Sequence, residues 1–552
     1  MKTNQPFFRA FAFLCLCVLA ASAHPGAPDS ASVDANGGSV RTTNCPPRIE
    51  WQASFGGSDF DFLYSVEPTT DGGYILAGMS YSGADGNKST PSLYFPGTAD
   101  LWLVRLNSAG QKVWEAAFGW ADSENALSVK QTADGGFIVA GWSASGVGGN
   151  KTSPNLGQAD GWAIRLDAAG NKLWDRSYGT GSFDFFFQGH ELVDGGFVLG
   201  GFSGGGPFGD GDYWVVRTDA QGNKLWERFY GGTGPEQFHD LRVTPDGGFI
   251  LGGGSGSTPG GNKTSPNFGS YDYWVVRLDA NGNKLWDRSF GGNQDEDVWS
   301  LWPTSDNGFL LAGRSYSDVS GNKTSPNHGQ SDYWLVRLAA DGSKLWDKSI
   351  GGSGNDEWPT LYPLPDGGWI VGGNSASPAD GDKTSPFYGG EFWIGDYWIV
   401  RLDANGNALW DQSFGGEQSE ALNAFRLAPD GGLILAGTSS SGATGNKTTA
   451  SFGREDWWVV KLAPPSADDC DRDHDGIPND VDRCPDTPPG AVVDALGCSL
   501  AQLCPCDGPW RNHGEYVRCV SDHAWEFFRL GLIDLEQRRT TLHGAVKSDC
   551  GK

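Results

Sequence analysis

The chain has 552 residues, with Gly 83, Trp 24, aromatic residues at 12% and a formal net charge of −27. So much acid excludes a binder of nucleic-acid phosphates, which needs Lys and Arg to displace counterions, and it favours a soluble chain that attracts cations. Length alone suggests several ordinary domains, but a repeat array of this size folds as one unit.

In chain order, residues 1–23 read as a secretory signal peptide. Lys2 and Arg9 supply the charged start, Ala10 to Leu19 the apolar run, and Ala21-Ser22-Ala23 the small-residue cleavage site. The run is shorter than the ~20 apolar residues that a membrane span needs. The chain is therefore expected to be exported, either secreted or held at the cell surface or in the periplasm, with no membrane span. Residues 24–44 are expected to form a disordered N-terminal segment.

Seven related stretches follow: WQASFGG at 51, WEAAFGW at 114, WDRSYGT at 174, WERFYGG at 226, WDRSFGG at 286, WDKSIGG at 346 and WDQSFGG at 410. Twenty positions after each tryptophan stands the Asp of D-G-G, written D-N-G once, and further on comes D-x-W. The period is close to 60 and only the third copy is shorter. Each copy holds four runs of strand type, such as VWSLWPT, GFLLAGRS, DYWLVRL and SKLWDKS, with N-G or D-G at the last hairpin. A four-stranded sheet cannot bury both faces alone, but seven of them stacked radially can. The seventh copy stops after DWWVVKL at Leu462, and an orphan fourth strand, RIEWQASFGG, opens the array. The expectation is an all-β, seven-bladed β-propeller over residues 45–462, closed by its N-terminal strand.

The run LDANGNKLW with F-G-G after it resembles the repeats of quinoprotein-type propellers. The wording DGG…DYWLVRLDANGNKLW resembles repeat propellers of secreted bacterial surface proteins. The resemblance covers about residues 48–462 and implies a fold rather than an activity.

Two columns of the repeat diverge. Sixteen positions after the tryptophan stand Glu67, Lys130, His190, Arg242, Trp302, Tyr362 and Arg426. Thirteen after it stand Tyr64, Leu127, Phe187, His239, Trp299, Pro359 and Asn423. Both columns fall on the strand nearest the axis, so they either line a ligand pocket or record drift at tolerant positions. Glu67, Lys130, His190, His239, Arg242, Trp302, Tyr362 and Arg426 are the candidate ligand contacts. Ten positions after each tryptophan the residue is always acidic: Asp61, Glu124, Asp184, Glu236, Glu296, Asp356 and Glu420. These could form a carboxylate ring that holds a cation, or each could cap the backbone of its own blade. The second reading is favoured, because a residue repeated in every copy usually serves the repeat. Loops of the type GNKTSPN recur in six copies and are missing from the third. Their Asn-Lys-Ser/Thr triplets match glycosylation acceptors but are better read as polar turn chemistry.

After a linker at 463–470, residues 471–498 begin DRDHDGIPNDVD. Asp471, Asp473, Asp475, Ile477 (through its carbonyl), Asn479 and Asp482 take calcium-loop positions 1, 3, 5, 7, 9 and 12, with Gly476 at the bend. The stretch resembles a thrombospondin type 3 repeat, down to the Cys-Pro that follows, and Ca2+ is the expected cofactor. Position 12 is Asp, where an EF-hand has Glu.

Eight cysteines remain after the signal segment, and their even number in an exported chain favours disulfides. Cys45–Cys470 is expected to lock the ring and Cys484–Cys498 to close the calcium repeat. Cys504, Cys506, Cys519 and Cys550 are expected to staple a helical hairpin over 499–552, with apolar positions Tyr516, Val520, Ala524 and Phe527, then Leu535, Leu542 and Val546. Zinc bound with His513 or His523 is the competing reading.

These features suit an exported, non-enzymatic binding or surface protein: a propeller that recognises an extracellular glycan or protein, and a calcium-binding stalk. A secreted propeller enzyme, of glycosidase or quinoprotein type, and a structural assembly factor are the alternatives. Against the enzymes, the propeller has no internal cysteine, and Arg105, Arg165, Arg217, Arg277, Arg337 and Arg401 belong to the repeat.

Overall fold

The computed structural model describes residues 45–93, 97–390, 395–466, 471, 473, 475, 477, 482–484, 486–488 and 490–552. The signal segment and the N-terminal segment at 24–44 lie outside the described residues, as do Cys470 and Asn479.

Twenty-eight strands, β1 to β28 in chain order, form seven four-stranded antiparallel sheets. The first blade is β2 (Asp61–Pro68), β3 (Tyr74–Ser80), β4 (Asp100–Leu106) and β5 (Lys112–Phe118), and five blades repeat that order. The last is composite: β26 (Glu420–Leu427), β27 (Leu433–Ser439) and β28 (Asp456–Leu462) are completed by β1 (Ile49–Phe55). Gln52 stands opposite Val460 and Phe55 opposite Trp457, so the two ends of the array are joined by a sheet ladder.

The repeated residues explain themselves at the junctions between blades. The outer-strand Trp51 lies over Gly110 in the last hairpin of the next blade; Trp114, Trp174, Trp226, Trp286 and Trp346 lie over Gly170, Gly222, Gly282, Gly342 and Gly406. Those glycines have positive φ, 74° at Gly110, so the N-G hairpin both turns the chain and leaves a flat seat for an indole. The D-x-W tryptophans Trp102, Trp162, Trp214, Trp274, Trp334, Trp398 and Trp458 are fully buried between sheets. Aromatic planes of this size dominate core energetics.

Polar repeats are equally committed. Arg105, Arg165, Arg217, Arg277, Arg337 and Arg401 each pair with the D-G-G aspartate of their own blade, and Lys461 pairs with Asp430 in the seventh. In the GNK loops, Asn262 Oδ1 accepts from Gly231 N at 3.0 Å while its Nδ2 donates to Phe229 O at 2.9 Å, both in the preceding blade. Asn87, Asn150, Asn322 and Asn446 do the same. The amides of the glycosylation-like triplets are thus spent on clamping neighbouring blades.

The C-terminal region forms a second compact unit from Pro465 onward. It carries α1 (Leu500–Leu503), α2 (His513–Arg529) and α3 (Leu535–Lys547), with disulfides Cys484–Cys498, Cys504–Cys519 and Cys506–Cys550. Cys45 is also disulfide-bonded. Val520, Ala524 and Phe527 are buried on α2 as their spacing predicts, but on α3 Leu535 and Val546 are exposed and Ala545 carries the contact. Leu542, the third predicted position on α3, is half-buried. No helix among the described residues is long and apolar enough to cross a membrane.

At the junction glycine Gly291 a Cβ would collide with Asp272 Oδ1 and approach Glu296 Oε2, whereas at Gly247 (φ 79°) it would meet open space. Gly291→Ala is expected to cost about 3 kcal/mol or more through overpacking, and Gly247→Ala about 1–2 kcal/mol through the left-handed backbone alone. Urea unfolding of the two variants would measure both, and the reverse order would contradict this account.

Candidate functional site

The first strand of each blade is the innermost, because only these strands pack side by side around the ring: β2, β6 (Glu124–Gln131), β10 (Asp184–Glu191), β14 (Glu236–Val243), β18 (Glu296–Pro303), β22 (Asp356–Pro363) and β26. Along each, the residues fall into tiers.

The acidic tier heads every inner strand, and all seven carboxylates are fully buried. Each turns back onto the glycine-rich crossing of its own strand. Glu236 accepts from Gly232 N at 3.0 Å and Ser255 Oγ at 2.9 Å, Glu420 from Gly416 N at 2.9 Å and Ser439 Oγ at 2.7 Å, and Asp61 from Gly57 N at 2.8 Å and Ser82 Oγ at 2.9 Å. Glu124, Asp184, Glu296 and Asp356 also bind the backbone N–H four residues earlier. They cap turns rather than converge on the axis. Each also faces the D-x-W aspartate of the preceding blade: Asp456 with Asp61, Asp212 with Glu236, Asp396 with Glu420. One oxygen of Asp100, Asp160, Asp212, Asp272, Asp332, Asp396 and Asp456 has no hydrogen-bond partner in the protein. Burial pushes Asp61 up to about 6, Glu124 and Asp356 to about 7, and Asp396, beside the Glu420 carboxylate, to about 8. A carboxyl that keeps its proton supplies the donor such a pair lacks.

The second tier was visible in sequence only as a variable column. Every inner strand breaks register at Tyr64, Leu127, Phe187, His239, Trp299, the Trp358–Pro359 pair or Asn423. A β-bulge leaves its extra residue unpaired and re-aims the side chain. Neighbouring bulges touch: His239 stacks on Trp299 at 4.0 Å between ring centroids, Trp299 lies 6.2 Å from Trp358, and Asn423 donates to Leu63 O at 2.6 Å. Trp358 adopts φ 55°, a conformation costly for a bulky residue. His239 Nε2 meets Asp297 Oδ2 at 2.7 Å, while Nδ1 has no partner.

The third tier holds the remaining candidates, and the structure brings most of them together. Glu67 accepts from Lys130 Nζ at 3.3 Å and from Arg426 Nε at 3.1 Å. Arg242 binds Asp240 Oδ2 through Nε and Nη2, donates to Leu301 O at 3.0 Å, and lies 4.3 Å over the Trp302 ring. Trp302 donates its indole N–H to Leu361 O at 2.8 Å and meets Tyr362 edge-on. His190 Nε2 contacts Leu241 O at 3.0 Å, which fixes that nitrogen as the protonated one; burial, with Lys130 and Arg242 nearby, holds the ring neutral. Sequence reasoning missed Asp240, Asp297 and Glu357. Asp240 was recoverable, since it stands two positions before Arg242 on the same strand face.

In the second unit, carboxylate oxygens of Asp471, Asp473 and Asp475 lie within 4.8 Å of one another. Asp473 Oδ1, Asp475 Oδ2 and Asp482 Oδ2 have no hydrogen-bond partner in the protein, and Asp475 and Asp482 flank the same residue, Gly497. This donor set, all hard oxygen, fits Ca2+. The sulfurs of Cys504 and Cys519, close to His523, are joined to each other and are not thiolate ligands.

The interblade acids set a pH dependence. Unfolded, these carboxyls titrate near pH ~4; folded, the shifted ones titrate at about 6 to about 8. Between those limits the folded chain binds more protons, so stability falls as pH rises. Asp134 and Asp306, held at about 2 chiefly by the hydroxyls of Thr132 and Thr304, act oppositely and lose their contribution only as pH falls below ~4. Urea midpoints at fixed calcium are expected to be higher at pH 5 than at pH 8. A higher midpoint at pH 8 would contradict the protonated pairs.

No protein-family profile matches the chain. Over 157 residues it is 27% identical to the "Regulatory protein FlaEY" of Caulobacter vibrioides, a stretch covering 27% of this chain and 16% of that protein. The match thus spans well under a quarter of that relative's length. Among solved structures, the Pan2 WD40 domain of Neurospora crassa aligns over 73% of this chain and 90% of its own, with 11% identity and a TM-score of 0.39. A Synechocystis apocarotenoid oxygenase aligns over 76% and 94%, with 13% identity and a TM-score of 0.36. Neither likeness bears on activity.

Proposed function

We propose that the protein is an exported binding protein whose propeller recognises an extracellular ligand, a glycan or a protein, at the axial tiers, and whose C-terminal unit carries a structural Ca2+. The observation that carries this reading is a contrast within the repeat. The repeated Arg, Lys and Asn side chains are committed to joining strands and blades. The inner strands diverge in the bulge and third tiers, and there buried polar groups such as His239 Nδ1, Trp299 Nε1 and Arg426 Nη2 are left without a partner in the protein. Stacked aromatic rings beside a carboxylate, His239 and Trp299 with Asp297, suit sugar rings and hydroxyls. His239 is held by Asp297 through Nε2, which leaves Nδ1 free to meet a ligand.

A glycan and polysaccharide array with the mature chain, run with calcium and again with chelator, is the direct test. Specific binding weakened at least tenfold by Trp299→Ala, an anchor of the size that dominates binding energy, is the expected result. A blank array under both conditions would remove the glycan. For the metal, calorimetry is expected to find one Ca2+ per chain, with Asp475→Ala weakening it roughly 10-fold or more through loss of a carboxylate ligand. An unchanged isotherm in that variant would remove the loop from the site.

A further inference from the structure

We propose that the third axial tier is a receptor for a small oxyanion, a carboxylate or phosphate group, held by the free guanidinium N–H groups of Arg242 and Arg426 with Lys130 beside them. The proposal rests on the reading of the axial tiers as a recognition site and assigns that site a ligand class.

Three cations meet here from different parts of the ring: Lys130 in the second blade, Arg242 in the fourth and Arg426 in the seventh. Each of the arginines is only 1% exposed, and Lys130 is 4% exposed. They face two carboxylates. Glu67 is shared between Lys130 and Arg426, and Asp240 divides its Oδ2 between Arg242 and the backbone N–H of Leu301. His190 is neutral and adds no charge. Three basic side chains thus meet two carboxylates, inside a chain whose net charge is −27, and only an added negative charge would let Lys130 keep its proton beside the two arginines. An uncompensated buried cation is among the costliest arrangements in a protein interior.

The guanidinium forks show where the missing charge belongs. Arg242 commits Nε and Nη2 to Asp240 and stacks on Trp302, which leaves Nη1 without a partner. Arg426 commits Nε to Glu67 and Nη1 to Phe425 O, which leaves Nη2 without one. Both groups are close enough to Lys130 to disfavour its charged form, on top of its burial. A neutral sugar hydroxyl could accept one of these hydrogen bonds but would leave the charge excess in place. A planar or tetrahedral oxyanion offers charge-assisted acceptors to free guanidinium N–H groups and favours a protonated Lys130. The near-complete burial of the cations limits the ligand to a small group. Tyr362 is the half-buried member of the tier, and its pKa is raised by burial against the opposing influence of Arg426.

The test uses the full mature chain, with thermal unfolding followed at pH 7 in sodium phosphate and in sodium acetate, and ionic strength held constant with sodium chloride. A ligand bound only by the folded state raises the midpoint in a saturable way. The expected result is saturation with at least one oxyanion, loss of that response in Arg426→Gln, and an apparent affinity roughly tenfold weaker in Lys130→Gln. A response to phosphate alone identifies a phosphoryl group as the ligand, and a response to acetate identifies a carboxylate. No response, or a non-saturating one shared equally by wild type and Arg426→Gln, would overturn the proposal and leave water as the partner of both forks. If Arg426→Gln does not fold, the line widths of both probes with the wild type, 31P of inorganic phosphate and methyl 1H of acetate, decide the same question. Broadening of either that excess of a second oxyanion reverses supports the site, and two unbroadened lines refute it. A saturable oxyanion response with a blank glycan array would keep this site while removing the glycan reading. Array binding without any anion response would do the reverse.

Discussion

Every blade in this molecule is unstable alone, and the junction between blades is where that instability is removed. A four-stranded sheet exposes two apolar faces, so each must be covered by its neighbour. Three kinds of seal recur: an indole seated on a hairpin glycine at six junctions, an asparagine amide spanning two blades at five, and a pair of buried acids over a crossing glycine at all seven. The third blade, and the sixth with Asp382 in its GDK loop, lack the asparagine clamp and rely on the other two. Because the ring closes, the junction between the seventh and first blades must match the rest. It does so because Trp51 and Ser54, from the N-terminal strand, occupy the places that their counterparts hold elsewhere.

That constraint separates what a sequence shows from what it hides. The scaffold was legible because its residues recur: seven tryptophans, seven D-G-G turns and a split repeat specify blade number and closure. The capping of the acidic tier was legible for the same reason, since a group present in each copy meets the same turn in each copy. The bulges were not. A bulge is an excess of one residue in the pairing of two strands, and it leaves no trace in spacing when every copy carries it. The carboxylates of Asp297 and Glu357 escaped notice because their partners, His239 and Arg314, come from other strands. On α3 the apolar spacing pointed to Leu535, Leu542 and Val546, but Leu535 and Val546 are exposed and the buried residue is Ala545.

The two polar populations of the propeller answer to different rules. Repeated basic side chains sit in local pairs within their own blade, and the repeated buried acids face one another in the same pair at every junction. Arg277 and its counterparts reach the D-G-G aspartate and the adjacent carbonyls of their own blade. The axial charges are unique to single copies and meet across the ring, where no repeat can supply a counter-charge by symmetry. Buried charges in such surroundings are costly to the fold.

The composite seventh blade has a consequence for how the chain reaches its folded state. Strand β1 is made first and its partner β28 last, with the rest of the array between them. Until β28 has been made, β1 therefore waits with its hydrogen-bonding edge open. In a crowded compartment its partner can be supplied by a second molecule, giving an exchanged dimer with the same ladder. The chain's heavy negative charge opposes that encounter by mutual repulsion.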